Sequence, residues 1–166
     1  MNLQFYGEKL QSSDEFEKFQ KETPESYLCS VFLEIDQEKG KNSVHFDYFS
    51  ENSGKIISFQ MENGIKIVEM ENFSQAKPEK MPEDAEVNFN LLEDLISERM
   101  SSEGIKNKVQ KIILSLQKVS GKETLIGTVF ISGMGLIKVK IDVESWKIVE
   151  FEKKSFMDII NIFKRK

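Results

Sequence analysis

Short runs of alternating apolar and polar residues, each closed by a turn-forming cluster, fill residues 26–70 and return over residues 124–152. Successive side chains on a strand point to opposite faces, so such runs make half-buried strands. The breaks between them are too short for a crossover helix, which makes each stretch an antiparallel meander. Over 26–35, Tyr27, Cys29, Val31, Leu33 and Ile35 are expected on one face. Over 44–49, Val44, Phe46 and Tyr48 alternate with His45 and Asp47. Runs 55–61 and 65–70 flank Asn63-Gly64, two residues that tolerate positive φ and so mark a hairpin. Downstream, 124–132 is apolar on both faces, as a central strand would be. Residues 136–142 set Ile137, Val139 and Ile141 against Lys138 and Lys140, and 146–152 reads as the last strand.

Helices frame these meanders. Residues 12–22 read as one, with Ser12 as cap, Glu15 completing a capping box, Phe16 and Phe19 on one face, and Pro24 as the stop. Residues 90–104 carry the stripe Leu91, Leu92, Leu95, Ile96 and Met100, and Gly104 suits a left-handed end. Ser155 and Asp158 start a last helix with Phe156, Ile159, Ile160 and Phe163 on one face and Lys164, Arg165 and Lys166 at its negative end. Residues 106–119 fit either period: Val109, Ile112, Ile113, Leu116 and Val119 at helical spacing, Ile112, Leu114 and Leu116 as a strand. The stretch 71–88 holds two prolines and mixed charge, the composition of an extended, solvated linker.

The expected architecture is therefore α+β. It has two helix-plus-antiparallel-meander halves packed together and a C-terminal helix. Residues 1–72 form the first unit, 73–88 the linker, and 89–166 the second. The first half is a candidate diverged copy of the second, a tandem repeat without residue-level identity. At 166 residues such a chain buries enough surface to fold without disulfide or metal.

Composition narrows the function classes. No stretch reaches the ~18–20 apolar residues of a membrane span, so no membrane partner is expected. Residues 1–10 show neither a basic start nor an apolar core of the secretory kind, and Cys29 is the sole cysteine; both point to a cytoplasmic protein. Residues 1–104 carry 22 acidic and 10 basic side chains, and residues 105–166 carry 6 and 13. This asymmetry fits two halves that attract each other better than a basic surface for an anionic partner. Lys106, Lys108, Lys111 and Lys122 make a candidate basic rim, without the interleaved exposed aromatics that a single-strand binder uses.

Catalytic groups are sparse. Gly133-Met134-Gly135 leads into the strand pattern LIKVKID and lacks the third glycine and following helix of a dinucleotide loop, so it reads as a hairpin or bulge. His45 and Asp47 share a strand face and form a proton-shuttle candidate, more simply a polar surface pair. Cys29 is expected to be a buried, inert thiol on the face opposite His45. One His and one Cys do not make a zinc site, and Glu83, Asp84 and Glu86 read as solvated linker charge. No metal, cofactor or catalytic residue is expected. Trp146, after a turn at a sheet end, is a candidate partner contact, together with Lys138 and Lys140.

The segment KVKIDVESWKIVEFEKK, with Asp142 before the turn and Ile148-Val149 after it, resembles the strand–turn–strand of PepSY domains. The helix at 90–104 and the strands from 106 extend the resemblance over about residues 88–153. Trp146 stands near where that family prefers glycine. The resemblance implies strand for 106–119. It also implies a non-catalytic inhibitory or regulatory module, of a kind often linked to peptidases and mostly exported or membrane-attached. The expected function is thus a binding or regulatory module for a protein or peptide, with homodimerisation through a sheet edge as one form of partnership. The alternative is a carrier of a small apolar ligand held between helix and sheet.

Overall fold

A computed structural model describes residues 1–74 and 76–164. The element order is α1 (Leu3–Gln11), α2 (Asp14–Glu22), β1 (Tyr27–Asp36), β2 (Lys41–Phe49), β3 (Lys55–Gln60), β4 (Lys66–Glu71), α3 (Phe89–Ser102), β5 (Val109–Val119), β6 (Lys122–Ile131), β7 (Gly135–Asp142), β8 (Lys147–Ser155) and α4 (Phe156–Lys164). The protein is α+β. Its eight strands form one antiparallel sheet in the order β4-β3-β2-β1-β5-β6-β7-β8.

Two meanders thus run outward in opposite directions from a shared seam, the β1–β5 pair, which is in register from Ser30↔Gln117 to Asp36↔Lys111. The expected units 1–72 and 89–166 share this sheet and one apolar core. The core lies on the face covered by α2 and α3. Val31, Leu33 and Ile35 of β1 meet Leu116, Leu114 and Ile112 of β5 there. Phe16 and Phe19 of α2 pack on Tyr48 and Phe59, with ring centroids 5.0–5.8 Å apart. Aromatic clusters of this kind add to the gain from area burial alone.

Residues 109–119 are strand. Ile112, Leu114 and Leu116 are buried on the core face, while Ile113, on the opposite face, supplies the residue that mimics helical spacing. The Gly133-Met134 turn joins β6 to β7: both residues have positive φ, and the Ile131↔Gly135 pair closes the loop. No helix follows that loop, so it offers no cluster of free helix amides.

Three local expectations need correction. First, α1 is an additional helix. Asn2 caps it through the amide of Phe5 at 3.2 Å, and Leu3 and Leu10 are buried. Second, the cap of α2 is Ser13, whose Oγ accepts from the Phe16 amide at 3.2 Å; the Ser12 amide instead closes α1 on Glu8. Third, a bulge at Cys29 breaks the alternation of β1. Leu28 pairs with Tyr48 on the core face, and Tyr27 pairs with Phe49 on the other. The five-residue stripe from Tyr27 to Ile35 is therefore three residues long, joined by Leu28.

The solvated-linker expectation needs a partial correction, for a packing reason. The described residues of 73–88 form no helix or strand and most are exposed, yet Met81 is fully buried and its amide donates to the Leu28 carbonyl at 2.7 Å. Tyr27 Oη donates to the Pro78 carbonyl at 2.7 Å, and the amide of Gly121, in the β5–β6 turn, donates to Glu79 Oε1 at 2.9 Å. The segment crosses both meanders and ties them at one end of the sheet.

Candidate functional site

The three candidate contact residues do not converge. Lys138 and Lys140 stand on the open face of β7, opposite Glu152 and Glu150 of β8, where unlike charges across a ladder stabilise the pair modestly. Trp146 lies on the helix-covered side. Asp142 Oδ1 accepts the amides of Glu144 at 3.0 Å and Ser145 at 3.3 Å, and the turn this makes sets Trp146 at φ +51°. A residue with a Cβ is strained in that conformation, which glycine adopts freely. The indole half-buries against the core and, with Leu95, Arg99 and Ile148, lines a shallow groove. The Arg99 guanidinium sits 5.1 Å from the Phe151 ring centroid, within cation–π range.

The catalytic candidates do not assemble into a reactive set. His45 Nε2 lies 3.0 Å from Glu62 Oε1, and its ring stacks on Phe32 at 4.9 Å. Contact with His45 holds the Glu62 carboxyl below its usual range. The anticipated Asp47 partnership is not made. The buried Cys29 thiol donates to the Asp47 carbonyl at 3.3 Å, and burial first, then the Asp47 charge, pushes it up to about 12. Such a thiol carries almost no thiolate at neutral pH.

Asp47 is the unusual carboxyl. Ser30 donates to its Oδ2 at 3.1 Å, while Oδ1 is buried with no partner, as is the hydroxyl of Ser58 directly across on β3. Burial raises its pKa. Between the unfolded carboxyl pKa and the raised native one the native state then binds more protons than the unfolded state, so this group's contribution falls as pH rises through that window. Asp47→Asn should remove that dependence and supply a donor facing Ser58. A gain of about 1 kcal/mol at pH 7 is expected, the cost of one buried unpaired polar atom, read as a higher melting temperature than wild type. A variant less stable than wild type at pH 7, with the slope unchanged, would refute this role for Asp47.

The basic rim dissolves into separate settings. Lys111 pairs with Glu34 at 3.0 Å and Asp36 at 3.4 Å, and Lys122 opens β6 beside the β5–β6 turn. Lys106 and Lys108 precede β5 at the opposite end, where the Lys108 amide donates to Ser132 Oγ at 2.9 Å. Glu83 also departs from the linker-charge expectation, since Tyr48 Oη donates to its Oε2 at 2.7 Å. Burial, then this glutamate, raises the Tyr48 pKa.

Two features were invisible to residue-by-residue reading. One is the β4 edge, where Ile67 is exposed beside a groove of about 470 Å³ lined by Phe19 of α2, Ile57 and Glu69. Its signal depended on the strand order. The other is an open groove of about 680 Å³ between α3 and β5, floored by Ile96, Met100, Val109 and Ile112 and rimmed by Gln37, Glu93 and Asn107. Among the described residues, no group of three or more His, Cys, Asp or Glu is placed to hold a metal ion, and no helix is long and apolar enough to cross a membrane.

No family model and no curated protein matches the chain. Among solved structures, a crystal structure from Clostridium difficile 630, described as a "putative lipoprotein", is similar at 13% identity, with a TM-score of 0.45 over 85% of this chain and 91% of that one.

Proposed function

We propose that the protein is a non-catalytic binding module that takes an extended segment of a protein or peptide partner as an added strand on the β4 edge. The observation that carries this is the character of that edge. β4 ends the sheet, pairs with β3 without a bulge from Lys55↔Glu71 to Gln60↔Lys66, and leaves Ile67 47% exposed. An edge strand presents unpaired N–H and C=O groups that an extended segment can satisfy, and the groove under α2 offers a place for its alternate side chains. The other edge is blunted by geometry. Both edges expose charged residues, but β8 is bulged opposite Lys140 and Ile141, a feature that discourages strand addition. The PepSY resemblance of residues 88–153, the engagement of His45 with Glu62 and the buried, protonated Cys29 thiol support a regulatory rather than a catalytic role.

A homodimer through the same edge is the second reading. Antiparallel self-pairing centred between Val68 and Glu69 would set Lys66 across from Glu71 and Ile67 across from Met70, a self-complementary register. The α3–β5 groove is the feature a small-ligand carrier would use, and native mass spectrometry of gently purified protein would reveal its cargo. Ile67→Glu, with Trp146→Ala as comparator, tests the strand-addition reading. Immobilised wild type and Trp146→Ala should retain the same partner from native extract, and Ile67→Glu should lose it. Equal retention by Ile67→Glu, or no partner at all, contradicts the proposal. A wild-type dimer that Ile67→Glu converts to monomer, seen by size exclusion, moves the reading to the homodimer.

A further inference from the structure

The helix α4 is apolar over most of its circumference. Phe156, Met157, Ile159, Ile160, Ile162 and Phe163 occupy six of its nine positions. At 100° per residue they span an arc of about 220°, with Lys164 inside it and Asp158 and Asn161 on the remaining side. A helix that packs on one neighbour needs a narrower stripe. Here Ile159 and Ile160 are half-buried, while Phe156, Met157, Ile162 and Phe163 are 47–72% exposed. The patch extends beyond the helix. The Phe156 amide donates to the Met134 carbonyl at 2.8 Å, and the Met134 side chain at the β6–β7 turn is itself 69% exposed.

Cations surround this patch. Lys153 and Lys154 precede α4 and Lys164 closes it. Lys106 and Lys108 lie beside the same turn, joined to it through Ser132. Against them stand Asp158, engaged with Ser155 in a reciprocal cap at 3.0 and 3.1 Å, and Glu152, paired with Lys154 at 3.6 Å. Among the described residues, five lysines thus stand against two carboxylates around exposed aromatic and aliphatic side chains.

We propose that α4 and the β6–β7 turn form a docking patch for an anionic lipid surface, with α4 lying in the membrane interface. Apolar side chains of a short helix enter the headgroup boundary, and flanking Lys and Arg are attracted to anionic lipids. A second copy fits poorly, because symmetric pairing of α4 would bring two basic clusters together. The proposal departs from the expectation of no membrane partner, whose ground, the lack of a spanning stretch, bears only on crossing the bilayer. The proposal is independent of strand addition at β4, which lies at the far edge of the sheet.

The test is co-sedimentation of the full chain with vesicles of phosphatidylcholine plus phosphatidylglycerol, against phosphatidylcholine alone. Wild type should partition at least about tenfold more strongly to the anionic vesicles, since each basic residue near the surface adds roughly 1 kcal/mol. Phe156→Ser with Phe163→Ser should lower that partitioning at least about tenfold while leaving the melting temperature unchanged, because neither ring is in the core. Lys153→Glu with Lys164→Glu should abolish the preference for anionic lipid. Equal binding to both vesicle types, or none, overturns the proposal. So does full binding by the double Phe variant, or a wild-type dimer that this variant makes monomeric without any vesicle binding.

Discussion

Gly127→Ala should be among the most damaging single-methyl additions in this protein. A Cβ at Gly127 would stand 1.9 Å from the Ile113 carbonyl oxygen and 2.9 Å from the Leu114 Cα, both main-chain atoms of the neighbouring strand β5. Neither can rotate away, and both lie next to the seam that joins the two meanders. Overpacking usually costs about 1–3 kcal/mol, and relief here requires β5 and β6 to separate, so a loss of at least ~3 kcal/mol is expected. For a domain of this size that lowers the melting temperature by roughly 6–12 °C. Gly40→Ala supplies the contrast. Gly40 has positive φ, but a methyl carbon added there would meet nothing within 4 Å, so its cost is conformational only, about 1 kcal/mol. Thermal melts of the two variants side by side decide the matter; a smaller loss at Gly127 than at Gly40 would mean that the β5–β6 contact is described wrongly.

Met81→Ala should cost about 2–5 kcal/mol, the range for emptying a fully buried site of this size, although the residue sits in a segment without regular structure. Its side chain is fully buried and its amide bonds to Leu28 at the Cys29 bulge. Truncation should therefore loosen the whole 73–88 crossing, and trypsin should cut faster at the exposed Lys80, the Lys77 bond being blocked by Pro78. Phe73→Ala, at a fully exposed side chain in the same segment, should change stability by less than ~0.5 kcal/mol. Equal and small effects at Met81 and Phe73 would restore the picture of a solvated linker.

These two positions show where the sequence is readable and where it is not. Features set by a few adjacent residues were legible. The Asn63-Gly64 hairpin, the left-handed Gly104 and the Ser155–Asp158 cap each depend on local backbone chemistry, and each is present in the structure. The α1 helix carried the spacing Leu3, Tyr6, Leu10, but Gly7 and the lack of an acidic first turn hid it. Long-range pairing was illegible. Nothing near Leu33 specifies Leu114 as its partner, so the merging of two meanders into one sheet could not be foreseen. The bulge at Cys29 likewise depends on a partner strand, and it inverted the face assigned to Tyr27. Site reading failed for the same reason. His45 found Glu62 across a turn in place of Asp47 beside it, and Ile67 became an exposed edge residue only once β4 ended the sheet.

Residue-resolved hydrogen exchange on the native chain bears most directly on the idea that a firm sheet presents one open edge for strand addition. Backbone amides of β1 and β5, and that of Met81, should exchange only through global unfolding. The outward-facing amides of β4 should exchange quickly in the free chain and slow when a partner retained by wild type but not by Ile67→Glu is bound. Fast exchange at Met81 alongside a protected seam, or β4 amides whose rates do not respond to that partner, would contradict the account.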